Sequence, residues 1–158
     1  MTSVLFVCLG NICRSPAAEG MFRKLAKDKG WLSGVDDIVI DSVGTGGWHV
    51  GKAPDLRMQE AMSTRGFDIS HLRGREFAHS DFDRFEHIIA MDVSNQANIE
   101  RMAPPSHKGR ARLLLSYVEG LSQTDVPDPY YGGAEGFEQC LDLIEAGVAG
   151  LAKAIEKG

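Results

Sequence analysis

The chain has 158 residues, 43% hydrophobic and 25% charged, with 22 acidic and 17 basic side chains and a formal charge of −5. That length suits one domain over residues 1–158, large enough to bury a real core. The acidic balance argues against a nucleic-acid partner, and the longest clean apolar run, Val4 to Leu9, is far too short to cross a membrane.

Short apolar runs alternate with longer helical patterns, which predicts an α/β fold. Ser3 to Cys8 reads as a first strand buried on both faces. A loop, Leu9-Gly10-Asn11-Ile12-Cys13-Arg14, follows it. A helix is expected from Ser15 as N-cap, with Pro16 at its first position, ending near Gly30. Asp37 to Ser42 is the second strand, and Val43 to His49 is a glycine-rich loop. The second helix is predicted from Pro54 to Arg65, closed by Gly66. His87 to Met91 is the third strand, followed by a short helix from Ser94 to Met102. Ala111 to Leu115 is a fourth apolar run, and a long loop carries Val126 to Gly133. The last helix runs from Ala134 to Lys157, with Phe137, Leu141, Ile144, Val148, Leu151 and Ile155 toward the core. The sum is a doubly wound, four-stranded parallel sheet with helices on both faces, a fold that binds ligands outside the carboxyl ends of its strands.

The loop after the first strand carries the chemistry. Cys8 ends a buried strand; Arg14 and Ser15 stand where a helix begins; Gly10 and Asn11 between them tolerate left-handed backbone. Such a loop can turn its N–H groups inward and, with the helix dipole, receive a dianionic phosphate. The same positive potential favours a thiolate at Cys8, to which Ser15 could donate a hydrogen bond. Arg14 offers a planar fork to two phosphate oxygens. The thiolate would attack phosphorus in line and give a phosphocysteine that water hydrolyses. The plainer reading of Cys8 as a packed strand-end cysteine does not account for Gly10, Asn11, Arg14 and Ser15 together.

Val7-Cys8-Leu9-Gly10-Asn11-Ile12-Cys13-Arg14-Ser15-Pro16 resembles the phosphate-binding loop of the low-molecular-weight protein tyrosine phosphatases. The resemblance covers nearly the whole chain, including Asp128-Pro129-Tyr130-Tyr131-Gly132. It implies Cys8 as nucleophile, Arg14 as phosphate clamp, and Leu9 to Ser15 as the phosphate-binding loop, with Asn11 and Ser15 shaping it. It also implies supporting roles for Ser42 and His71, hydrogen-bonded around Asn11, and for Asp92 beneath the loop. The implied partners are tyrosine-phosphorylated proteins.

A phosphotyrosine leaving group needs a proton, so an acid should face the nucleophile. Asp128, stiffened between Pro127 and Pro129, is the candidate, chiefly through the resemblance; Asp125 is its neighbour and competitor. Trp48, Tyr130 and Tyr131 are candidate pocket walls, because a phosphotyrosine ring needs a deep slot with aromatic sides. By the resemblance they line the entrance. Ile12 bears on a rival, since a related bacterial group that dephosphorylates arginine has Thr at this position; the branched apolar side chain favours a tyrosine ring.

Three cysteines are an odd number for a disulfide framework, and the N-terminus has no signal-peptide pattern, so a cytoplasmic chain with reduced thiols is expected. Arsenate reductases of similar fold need two later cysteines, and only Cys140 lies beyond the loop. Oxidation could instead join Cys8 to Cys13. The five histidines show no metal-ligand spacing, and no cofactor is expected. A phosphopeptide-binding module without catalysis is the remaining alternative. The chain is expected to act as a monomer that self-associates weakly at most.

Overall fold

In the computed structural model, which describes residues 2–158, four short apolar runs pair as one parallel sheet. They are β1 (Ser3–Cys8), β2 (Val39–Gly44), β3 (His87–Ala90) and β4 (Ala111–Leu113), in the order β2-β1-β3-β4. Parallel neighbours need crossovers, and helices supply them: α1 (Arg14–Asp28) between β1 and β2, α2 (Leu56–Thr64) and α3 (Asp81–Arg84) between β2 and β3, and α4 (Val93–Met102) between β3 and β4; α5 (Ala134–Lys157) follows the last strand and packs against α1. Because β1 is paired on both edges and covered on both faces, all six of its residues are buried. The two-residue period divides them. Val4, Phe6 and Cys8 pack in one layer with Phe22, Met58 and Leu141 of α1, α2 and α5; Leu5 and Val7 pack in the other with Phe82 and Ile99 of α3 and α4. The chain leaves β1 for β2 on one side and reaches β3 on the other, so the crevice of this doubly wound sheet opens at Cys8.

The structure moves several element ends. The first helix starts at Arg14, with Cys13 rather than Ser15 at the cap position and no side-chain cap bond. The Ser15 hydroxyl is engaged by Cys8 and Asn11 and is not available for capping. The second strand runs two residues later than predicted, because Ile38 bonds to Trp31 of the preceding loop while Val43 and Gly44 pair with Val7 and Cys8. Asp55 caps α2 by accepting from Arg57 N, which trims the predicted Pro54 start. The fourth run is strand only to Leu113 and then winds into a 3-10 turn over Leu114–Tyr117. Three pieces lack a sequence counterpart: the one-turn α3, a 3-10 turn over Pro105–His107, and a 3-10 turn over Pro129–Tyr131 inside the predicted loop.

The long α5 seats closely on the Leu114–Tyr117 turn at two glycines. A Cβ on Gly147 would stand 2.5 Å from Leu114 Cγ, and one on Gly150 would collide with the carbonyl oxygen of Tyr117. Replacing helical Gly by Ala ordinarily favours the helix by about 1 kcal/mol. At Gly150 the obstacle is backbone, so Gly150→Ala is expected to lower stability by about 1–3 kcal/mol in urea unfolding. A more stable variant would contradict this packing.

Candidate active site

The loop after β1 is shaped by one side-chain amide. Asn11 holds a left-handed backbone, φ 57°, a conformation costly for most residues other than glycine. Its Oδ1 accepts the Arg75 main-chain N–H at 2.9 Å, which fixes the amide's orientation, because that partner can only donate. The Nδ2 group then donates to Ser15 Oγ at 2.8 Å and Ser42 Oγ at 3.1 Å. In this conformation the Asn11 N–H reaches Cys8 Sγ at 3.3 Å. Ser15 Oγ lies 3.0 Å from the same sulfur and, accepting from Asn11, has its one hydrogen to place between that sulfur and the Val43 carbonyl oxygen at 3.3 Å. Ser42 donates in turn to Glu19 Oε1 at 2.6 Å, and this buried carboxylate is paired with Arg23 Nε at 2.8 Å.

The loop carbonyls are held from outside. Cys8 O accepts from Thr45 N at 2.9 Å, Leu9 O from Gly46 N at 2.9 Å, and Ile12 O from Asp55 N at 2.9 Å. In a trans peptide the N–H points opposite to the C=O. The amides of Leu9, Gly10 and Cys13 are therefore turned away from those donors. α1 adds its first-turn N–H groups, with no side-chain cap and no acidic residue in the first turn to compete with an anion. Gly44 is needed beneath: a Cβ there would lie 2.8 Å from Leu9 O and 3.1 Å from Asn11 N.

Arg14 is only 2% exposed. Its Nη1 hydrogens go to Asp92 Oδ2 at 2.6 Å and Val126 O at 2.8 Å, which leaves Nε and Nη2 as the free edge of the fork. Asp92 is itself anchored as the cap of α4, accepting from Asn95 N at 2.7 Å. Burial works against the guanidinium charge, but Cys8, Asp92 and Asp128 outweigh it and hold the group above its usual range.

Asp128 Oδ2 lies 3.6 Å from Arg14 Nη2, while Oδ1 accepts from Tyr130 N at 3.0 Å and caps the 3-10 turn. One carboxyl oxygen is thus tied to the backbone and the other faces the site. Its competitor Asp125 has a structural task, accepting from Val93 N at the start of α4. Cys8, Leu9, Gly10, Ile12, Cys13, Arg14, Trp48, Asp128, Tyr130 and Tyr131 line one pocket together with His49. Trp48 and Tyr131, 67% and 88% exposed, form its outer lip.

His71 does not join them. Asp68 accepts from both the N–H and the hydroxyl of Ser70, a turn after which His71 is exposed beside Lys24 and Lys27, with no hydrogen bond to the loop. The bond expected of it at Asn11 comes from the Arg75 main chain instead. Arg75 was not legible in the sequence, because its main-chain donor carries no side-chain signature; its side chain is pinned by Asp41 and Asp81. Nor were Glu19 and Arg23, whose four-residue spacing on α1 is the one visible hint. Cys13 and Cys140 are buried free thiols; burial raises both, Cys140 to about 12.

Residues 3–158 match the family model for low molecular weight phosphotyrosine protein phosphatases. The chain is 45% identical over 157 residues to the low molecular weight protein-tyrosine-phosphatase YfkJ of Bacillus subtilis, covering 99% of this chain and 97% of that one. A protein tyrosine phosphatase from Entamoeba histolytica superposes with a TM-score of 0.92 at 35% identity, covering 100% of this chain and 99% of the other. A Drosophila arginine phosphatase superposes with a TM-score of 0.87 at 33% identity, covering 98% of each chain. A parallel sheet with this loop at its crevice, matched end to end at such identity, means that the chain belongs to the low molecular weight phosphotyrosine protein phosphatase family.

Proposed function

We propose that the protein hydrolyses phosphotyrosine in protein substrates through a phosphocysteine on Cys8. The observation that carries this reading is the shared contact of Asn11 N–H and Ser15 Oγ with the Cys8 sulfur, inside a pocket also lined by Arg14 and Asp128. Both contacts orient the sulfur that would attack phosphorus. A phosphoryl group seated on the loop meets inward N–H groups and the free Nε/Nη2 edge of Arg14, so charge on its equatorial oxygens is stabilised where it develops.

The thiolate attacks phosphorus as the P–O bond to tyrosine breaks, and Asp128 passes its proton from Oδ2 to the departing phenolate. In the second step the ionised Asp128 takes a proton from water, which attacks the phosphocysteine and releases inorganic phosphate and the thiolate. Loop and Arg14 supply the charge stabilisation, so we assign no cofactor. Trp48, Tyr130 and Tyr131 are the aromatic sides for the tyrosine ring, Trp48 and Tyr131 at the lip, and Ile12 also lines the pocket. Ser42 and Asp92 act on the loop through Asn11 and Arg14. We read the protein as a monomer, and a nucleophilic cysteine suits a reducing compartment such as the cytoplasm.

A second reading, phosphoarginine as substrate, is favoured by the Drosophila relative and opposed by the apolar Ile12 in the pocket. Phosphate release from phosphotyrosine, phosphoserine and phosphoarginine, measured in EDTA with a reductant, decides between them. We expect release from phosphotyrosine and none from the Cys8→Ser variant. Release mainly from phosphoarginine would replace the substrate, and release from none would leave a binding module.

Cys13 is proposed as a redox partner: peroxide converts Cys8 to a sulfenic acid, and the Cys13 thiol condenses with it, forming the S–S bond and releasing water. Burial raises the Cys13 thiol, so closure should quicken as pH rises and the thiolate fraction grows. After peroxide and then dithiothreitol, wild type should recover activity and Cys13→Ser should not; equal recovery would remove the role.

A further inference from the structure

The segment that follows Asp128 packs on α5 through the buried Pro129 but has one long-range hydrogen bond among the described residues. Upstream of the acid, Val126 is fixed on both sides, donating to Met91 O and accepting from Arg14. Downstream, the hydrogen bonds of residues 129–133 are local turns, with one exception among the described residues: Arg57 Nη2 donates to Tyr130 O at 2.9 Å. Tyr130 is also the residue whose N–H holds Asp128 Oδ1.

Arg57 is well built for this contact. Its guanidinium grips Asp55 with two donors, Nε to Oδ1 at 3.2 Å and Nη2 to Oδ2 at 3.1 Å. It lies over the Tyr130 ring at 5.5 Å and over the buried Phe137 ring of α5 at 4.9 Å. A planar cation between two rings loses little freedom on binding. Asp55 in turn donates its N–H to Ile12 O in the phosphate loop. Burial works to raise the Asp55 carboxyl, but the Arg57 fork and backbone donors lower it overall, so it stays ionised at neutral pH.

These contacts make one continuous path: Ile12 carbonyl, Asp55, Arg57, Tyr130, Asp128. We infer that Arg57, held by Asp55, is a positioning residue that fixes the acid at its working distance from the phosphate loop. It acts through Tyr130 and touches neither the phosphoryl group nor the nucleophile. The inference rests on Asp128 being the acid. A proton donor displaced by about 1 Å can lose much of its effect, up to about a hundredfold in rate, and that loss falls on substrates whose leaving group needs the proton.

The test is kcat/KM for a series of small aryl phosphates, from acidic to weakly acidic phenols, in wild type, Arg57→Met, Arg57→Lys, Asp128→Ala and the Arg57→Met/Asp128→Ala double variant. Arg57→Met keeps an apolar stem over the rings and loses every donor. It should slow the poorest leaving groups about tenfold and the best by less than about twofold. Arg57→Lys, retaining charge without the fork, should fall between. The double variant should be no slower than Asp128→Ala alone, and inhibition by inorganic phosphate should be the same in the single Arg57 variants as in wild type. Equal slowing across the series, or a double variant slowed by the product of the single effects, would overturn the inference while leaving the phosphatase reading intact. A change seen only with phosphopeptides would also overturn it, assigning Arg57 to peptide capture. A wild type inactive on every aryl phosphate would remove both readings.

Discussion

The Asn11 side-chain amide is the junction on which the site depends. It meets three parts of the fold at once: the Arg75 main chain, the Ser42 hydroxyl on β2, and the Ser15 hydroxyl in the first turn of α1. Because every one of its polar positions is used, the left-handed backbone at Asn11 is over-determined rather than merely tolerated. That backbone aims an N–H at the Cys8 sulfur and lets the loop pass over Gly44. The network extends inward through Ser42 to Glu19 and Arg23, a buried carboxylate fully paired, as low dielectric demands.

Charge is arranged around this junction in a second tier. Arg14 spends one nitrogen on Asp92 and Val126 and keeps the other edge of its fork free, so its orientation is set before any anion arrives. Asp128 is treated alike, with one oxygen on Tyr130 and the other facing the pocket. Cys8, Arg14 and Asp128 come from the end of β1, the start of α1 and the turn before α5, and only the sheet's topology brings them together. A rigid first tier and a tethered Asp128 suit the two-step phosphoryl transfer we propose, since both steps would use the same groups in opposite proton states.

How much of this was legible in the sequence follows the range of the interactions. Strand β1 and helix α5 stand at their predicted bounds, Ser3 to Cys8 and Ala134 to Lys157, because continuous burial and a long apolar stripe are local signals. The α/β class and parallel sheet were legible for the same reason. The end of β2 was not, since Val43 and Gly44 read as loop until Val7 and Cys8 pair with them. The loop residues Cys8 to Ser15 stood out as a segment, whereas the Asp128 side was reachable only through resemblance, more than a hundred residues away in the chain. His71 was misassigned because a main-chain N–H, that of Arg75, occupies the position a side chain was expected to fill. Backbone donors leave no mark in a residue pattern, and neither does the carbonyl of Tyr130 that Arg57 holds.

The proposed reaction turns on covalent chemistry at Cys8. Its most direct test is to quench wild type during turnover of an aryl phosphate and map the phosphoryl group by mass spectrometry under conditions that preserve thiophosphate esters. The proposed reaction predicts the group on Cys8 of the peptide spanning the loop. Turnover with no phosphorylated protein at any quench time, or with the group on another residue, would contradict it.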